Sequence, residues 1–185
     1  MSGLINLTGI SVLVTRPKHQ SESLCRLIEV YGGTAIRCPT VLIEAIEGSK
    51  TLAQALTATA TADIAIFVSP NAAEYGLRAL RRAKLELPLG APVLAMGPGT
   101  AAQLQEGGII TTAISKAPFN SESLMELNIL AAPAGRSVVI FSGEGGREWL
   151  SESLREKGAR VIPVICYRRS LPRVVDPRVI TYWQN

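Results

Sequence analysis

GISVLVTRPKHQSESLCRLIEVYGGTAIRC, residues 9–38, and GRSVVIFSGEGGREWLSESLREKGARVIPV, residues 135–164, decide the fold. Each stretch reads as a short β-branched run, a polar loop, an amphipathic segment, a glycine stop and a second extended run. They superpose without a gap at an offset of 126 residues (135 − 9). Gly9/Gly135, Ser11/Ser137, Val12/Val138, Glu22/Glu148, Leu24/Leu150, Gly32/Gly158 and Ile36/Ile162 are identical. Two βαβ units look alike wherever the same packing demands the same residues. An ungapped register over the whole stretch nonetheless favours duplication of one unit.

Working outward, apolar runs of strand length alternate with helix-period segments. Ile10–Thr15, Thr34–Ile46 (broken near Pro39), Ile64–Ser69, Val93–Met96, Ile109–Ala113, Ser137–Ser142 and Arg160–Tyr167 read as strands. Helices are expected over Leu52–Thr59, Asn71–Lys84, Pro98–Gln105, Ser121–Leu130 and Arg147–Lys157. A further helix has Leu24, Leu27, Ile28 and Tyr31 recurring at three- and four-residue spacing, the stripe of an apolar face, and stops at Gly32-Gly33. Tyr75, Leu77 and Leu80 are expected to face inward, and Ser121 is expected as an N-cap without a capping box. Regular β–α alternation predicts an α/β fold: parallel sheets with helices on both faces. Asp176-Pro177 reads as a further helix start, leaving Val179, Ile180, Tyr182 and Trp183 uncovered. A missing C-terminal segment is therefore expected.

The chain has 185 residues, 47% hydrophobic and 18% charged, which excludes a disordered protein. Its three cysteines, Cys25, Cys38 and Cys166, form no C-x-x-C pair, which argues against a disulfide framework or structural zinc. With one histidine, His19, no multi-histidine metal site is possible, and none is expected. No run of about 18 apolar residues predicts a membrane span, and residues 1–8 carry no signal-peptide pattern. A cytoplasmic protein is expected. The net charge of +4 is mild and its basic groups lack aromatic interleaving, which disfavours nucleic acid and suits a polyanionic small molecule.

In parallel sheets ligands sit beyond the carboxyl ends of the strands. The loops that follow strands therefore supply the candidates. Thr15-Arg16-Pro17 offers a guanidinium suited to a carboxylate or phosphate, or a surface arginine before a turn. Ser69-Pro70-Asn71 caps a helix whose first free N–H groups face the crevice, with or without an anion. Gly97-Pro98-Gly99-Thr100 lets the backbone approach a ligand, but it lacks the third glycine of a dinucleotide fingerprint, and no G-K-[ST] follows. Ser142-Gly143-Glu144-Gly145-Gly146-Arg147 reads as a flexible loop in which Gly145-Gly146 suggests exposed amides, or as a loose strand–helix turn. Tyr167 ends the last strand, either as a proton donor to a leaving group or with its hydroxyl in water. One histidine cannot complete a Ser–His–Asp or Cys–His set. Glu144 and Glu148 fit a hydrophilic helix face better than a carboxylate pair.

VLVTRP (Val12–Pro17), FVSPNAA (Phe67–Ala73), AMGPGTAAQL (Ala95–Leu104), APFNSESLMEL (Ala117–Leu127) and VVIFSGEGGREWLSESLREKGARVIPVICYRR (Val138–Arg169), in this order and spacing, resemble uroporphyrinogen-III synthase. SPNAA departs from the family's frequent T-S-x-N-[AG]-V. The resemblance implies two similar parallel-sheet domains joined by two extended crossovers, near Arg37–Ile43 and Pro163–Arg169. The first domain would hold 1–37 plus 169–185 and be incomplete, and the second would hold 38–168. The implied reaction cyclises hydroxymethylbilane, an octacarboxylate, with inversion of its last ring, and uses no cofactor. Tyr167 would assist departure of hydroxide. Thr15, Arg16, Pro17, Ser69, Asn71, Gly97, Thr100, Ser142, Gly143, Gly145 and Gly146 would hold substrate. A monomer is expected, and this chain alone is expected to be inactive. The alternative is a non-catalytic anion-binding module with the same fold.

Overall fold

The computed structural model describes residues 6–146, 148–172 and 179–181. The chain divides into two compact units, Met1–Glu44 with Arg169–Asn185, and Ala45–Arg168.

In the first unit, β1 (Ser11–Val14) and β2 (Thr34–Arg37) pair in parallel, bridged by α1 (Lys18–Val30). Val14, Cys25 and Ile28 form its core. The inward stripe of α1 is Ser21, Cys25 and Ile28, whereas Leu27 is 52% exposed and Tyr31 also lies at the surface. That corrects the expected stripe: with about 3.6 residues per turn, a face centred on Cys25 turns Leu27 and Tyr31 outward. The helix ends as glycine dictates, because Gly32 takes φ +81° and its N–H closes on the Glu29 carbonyl. Arg37 of β2 holds Glu22 of α1 at 2.9 Å. The extended chain beyond β2 stays tied to this unit, since Cys38 N–H donates to Val14 O and Thr40 N–H to Thr15 O. The boundary at Glu44 thus falls later than the expected residue 37. Val179 is buried, not exposed as expected, while Ile180 is 50% exposed. Successive helical residues point about 100° apart, so one can be covered while the next is not. The expected helix start at Asp176-Pro177 and the exposure of Tyr182 and Trp183 lie outside the described residues.

The second unit is built on a sheet of order β3-β8-β7-β4-β5-β6, of which β3 and the end of β8 run across the unit boundaries at Glu44 and Arg169. Its strands are β3 (Leu42–Ala45), β4 (Ile64–Phe67), β5 (Val93–Ala95), β6 (Ala113–Ile114), β7 (Ser137–Gly143) and β8 (Arg160–Ser170). Every pair from β8 across to β6 is parallel. The connecting helices are α2 (Lys50–Thr59), α3 (Pro70–Ala83), α4 (Pro98–Glu106), α5 (Ser121–Met125) and α6 (Trp149–Glu156). Alternation along the buried strands feeds two cores. Ile64, Ile66, Val138 and Ile140 pack against Leu124 of α5 and Leu150 and Leu154 of α6. On the other face Phe67 and Phe141 stack with centroids 4.3 Å apart, beneath Gly76 of α3. Helices therefore cover both faces, as the β–α alternation predicts.

Several boundaries differ from the sequence reading. The strand expected over Ile109–Ala113 is only Ala113–Ile114, because Ile109 N–H still closes α4 on Leu104 O and pairing begins when Thr112 N–H reaches Val93 O. The helix expected over Ser121–Leu130 stops at Met125, with a 3-10 turn over Asn128–Leu130. Its N-cap is Asn120, not Ser121, and a capping box is present: Asn120 accepts from Ser123 N–H while Ser123 Oγ accepts from Asn120 N–H. Arg147, expected to open α6, lies outside the described residues. The expected crossover Pro163–Arg169 is extended, as the second half of β8, and its Pro163, Val164, Ile165 and Tyr167 also pair with β7.

The repeat keeps its strand register and the hydrogen bonds at its glycine turn. Ser11 pairs with Thr34 and Ser137 with Arg160, the same register at the 126-residue offset. Gly32 N–H to Glu29 O is matched by Gly158 N–H to Arg155 O, and Gly33 N–H to Ile28 O by Ala159 N–H to Leu154 O.

Candidate functional site

The second unit concentrates its polar candidates at the carboxyl ends of β4, β5, β7 and β8. Ser69 follows β4 in extended conformation, and its Oγ accepts from Ala72 N–H at 3.0 Å to cap α3, with Pro70 in the first turn. The same hydroxyl lies 3.2 Å from the Tyr167 phenol oxygen. These two residues stand 98 positions apart, and a strand irregularity brings them together. Along β8, Val164 pairs with Phe141 on the α3 face, and unbroken alternation would send Tyr167 to the opposite face. The pairing instead passes from Ser142↔Ile165 to Gly143↔Tyr167, leaving Cys166 as an extra residue. This bulge turns both Cys166 and Tyr167 toward α3.

Tyr167 is 2% exposed, so its phenol is not a strand-end hydroxyl in water. Its ring lies on the bare backbone of Gly143, where an added Cβ would come 2.5 Å from Cε2 and Cζ. Tyr75 of α3 supports the ring from the side, centroids 5.8 Å apart. Glu144 N–H donates to Tyr167 O at 2.8 Å and anchors the glycine loop to the strand. Cys166 Sγ donates to Ser142 O at 3.4 Å, and burial pushes its thiol up to about 12.

A hollow of about 270 Å³ opens beside this pair, lined by Val68, Ser69, Met96, Gly97, Thr100 and Phe119 among others. Phe119 lies over Gly97, where a side chain would crowd its Cβ at 3.3 Å. A second hollow of about 180 Å³ shares Val68 and Met96 and adds Ser121, Ser142, Gly146 and Ser151. The two lie side by side at the strand ends, and Ser69, Thr100, Ser121, Ser142 and Ser151 are their hydroxyl-bearing residues. Ser115 Oγ donates to Met96 O at 2.6 Å and accepts from Ser123 Oγ, which ties α5 to the end of β5.

The structure thus gathers Ser69, Gly97, Thr100, Ser142, Gly143, Gly146 and Tyr167 in one region. Thr100 is 3% exposed, so only a ligand seated in the hollow reaches it. Asn71, half-buried in the first turn of α3, does not line the hollow, and Gly145 sits exposed at the loop tip with φ +69°. In the first unit, Thr15 and Arg16 are exposed and Pro17 is half-buried at the start of α1. Thr15 O accepts both N–H and Oγ–H of Thr40. Motif reading missed Tyr75, Phe119 and the bulge at Cys166. Phe119 stood inside the quoted APFNSES motif, but a register shift leaves no local sequence signal.

Fold and geometry together define a two-unit α/β protein with glycine-bordered hollows at the strand ends of a parallel sheet. Comparison narrows that class. A model described as uroporphyrinogen-III synthase HemD matches residues 22–185. The uroporphyrinogen-III synthase of Proteus mirabilis is 28% identical over 176 residues, covering 95% of this chain and 88% of the relative. That of Salmonella typhimurium is 32% identical over 162 residues, 86% of this chain and 65% of the relative. A crystal structure of uroporphyrinogen III synthase from the extremely thermophilic bacterium Thermus thermophilus shares the fold at TM-score 0.64 and 24% identity, covering 92% of this chain and 65% of that one. The chain belongs to the uroporphyrinogen-III synthase family. It spans about two thirds of the length of the Salmonella and Thermus proteins.

Proposed function

We propose that the protein is a lyase that cyclises hydroxymethylbilane to uroporphyrinogen III with inversion of the last pyrrole ring, in tetrapyrrole biosynthesis. The observation that carries the proposal is the Tyr167 phenol, buried on Gly143 and 3.2 Å from the Oγ of Ser69, a residue that itself lines the neighbouring hollow. A phenol so placed donates its proton to a departing hydroxide, and the Ser69 hydroxyl orients it. On the second unit the substrate's carboxylates meet the N-termini of α3 and α4 and the loop amides of Gly143, Gly145 and Gly146, and on the first unit the Arg16 guanidinium suits a carboxylate by its chemistry. Asn71, Gly97, Thr100, Ser142, Thr15 and Pro17 complete the substrate contacts.

Ring closure without guidance gives the wrong isomer, so the main contribution of the protein is to hold one conformation of a flexible chain. This explains why the site needs few acids and bases. The protein acts on a small molecule as a monomer in the cytoplasm, where its free thiols Cys25, Cys38 and Cys166 stay reduced. Light scattering checks the oligomeric state. Among the described residues no helix is long and apolar enough to cross a membrane.

Tyr167→Phe in the intact gene product tests the mechanism. Type III isomer formation is expected to slow by about 100-fold, the usual scale for a lost general acid, with substrate affinity retained. Unchanged turnover would remove the phenol from the reaction. Tight binding of hydroxymethylbilane with no turnover by the wild type would point to a non-catalytic module.

A further inference from the structure

Between α2 and α3 lies a cavity of about 350 Å³ that shares no lining residue with the strand-end hollows. Its size falls within the range of small-molecule pockets, about 300–1,000 Å³. The gap exists because the helices face each other with small side chains, Ala53 on α2 and Ala79 and Ala83 on α3. Its depth is apolar: Leu52, Leu56, Tyr75 and Cys166 are buried and line it. Its mouth is cationic, with Lys50, Arg78 and Arg82 against one carboxylate, Glu47. Glu47 pairs with Arg78 at 3.4 Å and also with Arg82, and all three side chains are about half exposed. Pairs this exposed are weak, so an incoming carboxylate competes for the same guanidinium groups.

We propose that this cavity is a binding site for a small amphipathic carboxylate, its apolar body between α2 and α3 and its head on Arg78 and Arg82. Occupancy is felt at Tyr167 through two residues of the cavity wall. Cys166 precedes Tyr167 in the bulge, and the Tyr75 ring rests against the Tyr167 ring. The site assignment requires nothing of the proposed reaction.

Octanoate is the probe, and ¹³C-labelled tyrosine rings are the reporters, assigned with Tyr→Phe variants. Saturable shifts of both Tyr75 and Tyr167 signals are expected, with a Kd of about 1 mM or tighter. Affinity is expected to fall about tenfold in the Arg78→Gln/Arg82→Gln double variant, as charge-assisted bonds are lost, and in Ala79→Leu, which fills the gap. The arginine positions are exposed, so the double variant keeps the test valid if Ala79→Leu fails to fold. No saturable shift, or equal affinity in the double variant, would overturn the site. Equal affinity for 1-octanol would overturn the carboxylate assignment, and a response at Tyr75 without one at Tyr167 would overturn the coupling.

Discussion

Gly143 has to be glycine for a reason that concerns another residue. Its φ lies outside the left-handed region, so the constraint is contact and not backbone strain. A methyl group there would strike the Tyr167 ring at 2.5 Å. Gly143→Ala is therefore expected to displace the phenol from Ser69 and to lower turnover about as far as Tyr167→Phe does. The displacement is read as a shift of the Tyr167 ring signal. Cys166 makes a prediction about pH. Burial holds its folded thiol at about 12, against 9.0 for a free one. The folded state keeps the proton longer than the unfolded state, so this residue costs nothing below about pH 9. From there stability falls as pH rises toward about 12, because the unfolded chain ionises first. Urea midpoints at about pH 8 and about pH 10.5 should differ more in the wild type than in Cys166→Ala. An equal drop in both proteins would show that the thiol does not contribute.

Among the elements, α3 does the most to position the site. Ser69 is its N-cap and its inner face carries Tyr75 and Gly76. Gly76→Ala would raise helix propensity by about 1 kcal/mol on a free surface. Here the new methyl would lie 2.6 Å from Phe141 Cδ1, against the stacked Phe67–Phe141 pair. The net result is expected to be destabilising by about 1–3 kcal/mol, measured by urea unfolding. Ser69→Ala removes the cap and is expected to lose about 1 kcal/mol by the same assay, along with the bond to Tyr167. Most of α3 was legible in the sequence. Ser-Pro-Asn marks its start, and Tyr75, Leu77 and Leu80, expected inward, are buried. The seating of Tyr167 was not legible. Strand periodicity assigns that side chain to the wrong face, since a bulge is decided by the neighbouring strand and not by local residue preference. The capping box at Asn120 and Ser123 was missed because it uses neither the Ser/Thr nor the Glu/Gln of the usual pattern.

At the scale of the molecule, the chain leaves its first unit, builds the second without interruption and then re-enters the first. The two ends of the second unit meet: Ile46 N–H donates to Cys166 O at 3.1 Å. A segment of residues 45–168, which holds a full α/β core on both sheet faces, is therefore expected to fold alone with one cooperative urea transition. A broad, non-cooperative transition by circular dichroism would contradict that independence. The duplicated β–α–β pattern was visible from residues alone because an ungapped offset equates glycines that must sit at the same turns. Gly9 and Gly135 take φ +79° and +75°, and Gly32 and Gly158 take +81° and +83°.

Residue order by itself determined the alternation of strands and helices, the repeat, and the gathering of polar loops at strand ends, because periodicity and turn chemistry are local properties. Only the tertiary structure decided that Tyr167 meets Ser69, that Phe119 closes over Gly97, and that alanines leave a cavity between α2 and α3. Each of those outcomes depends on the packing of segments far apart in the chain, and no local preference encodes which pair of faces will meet.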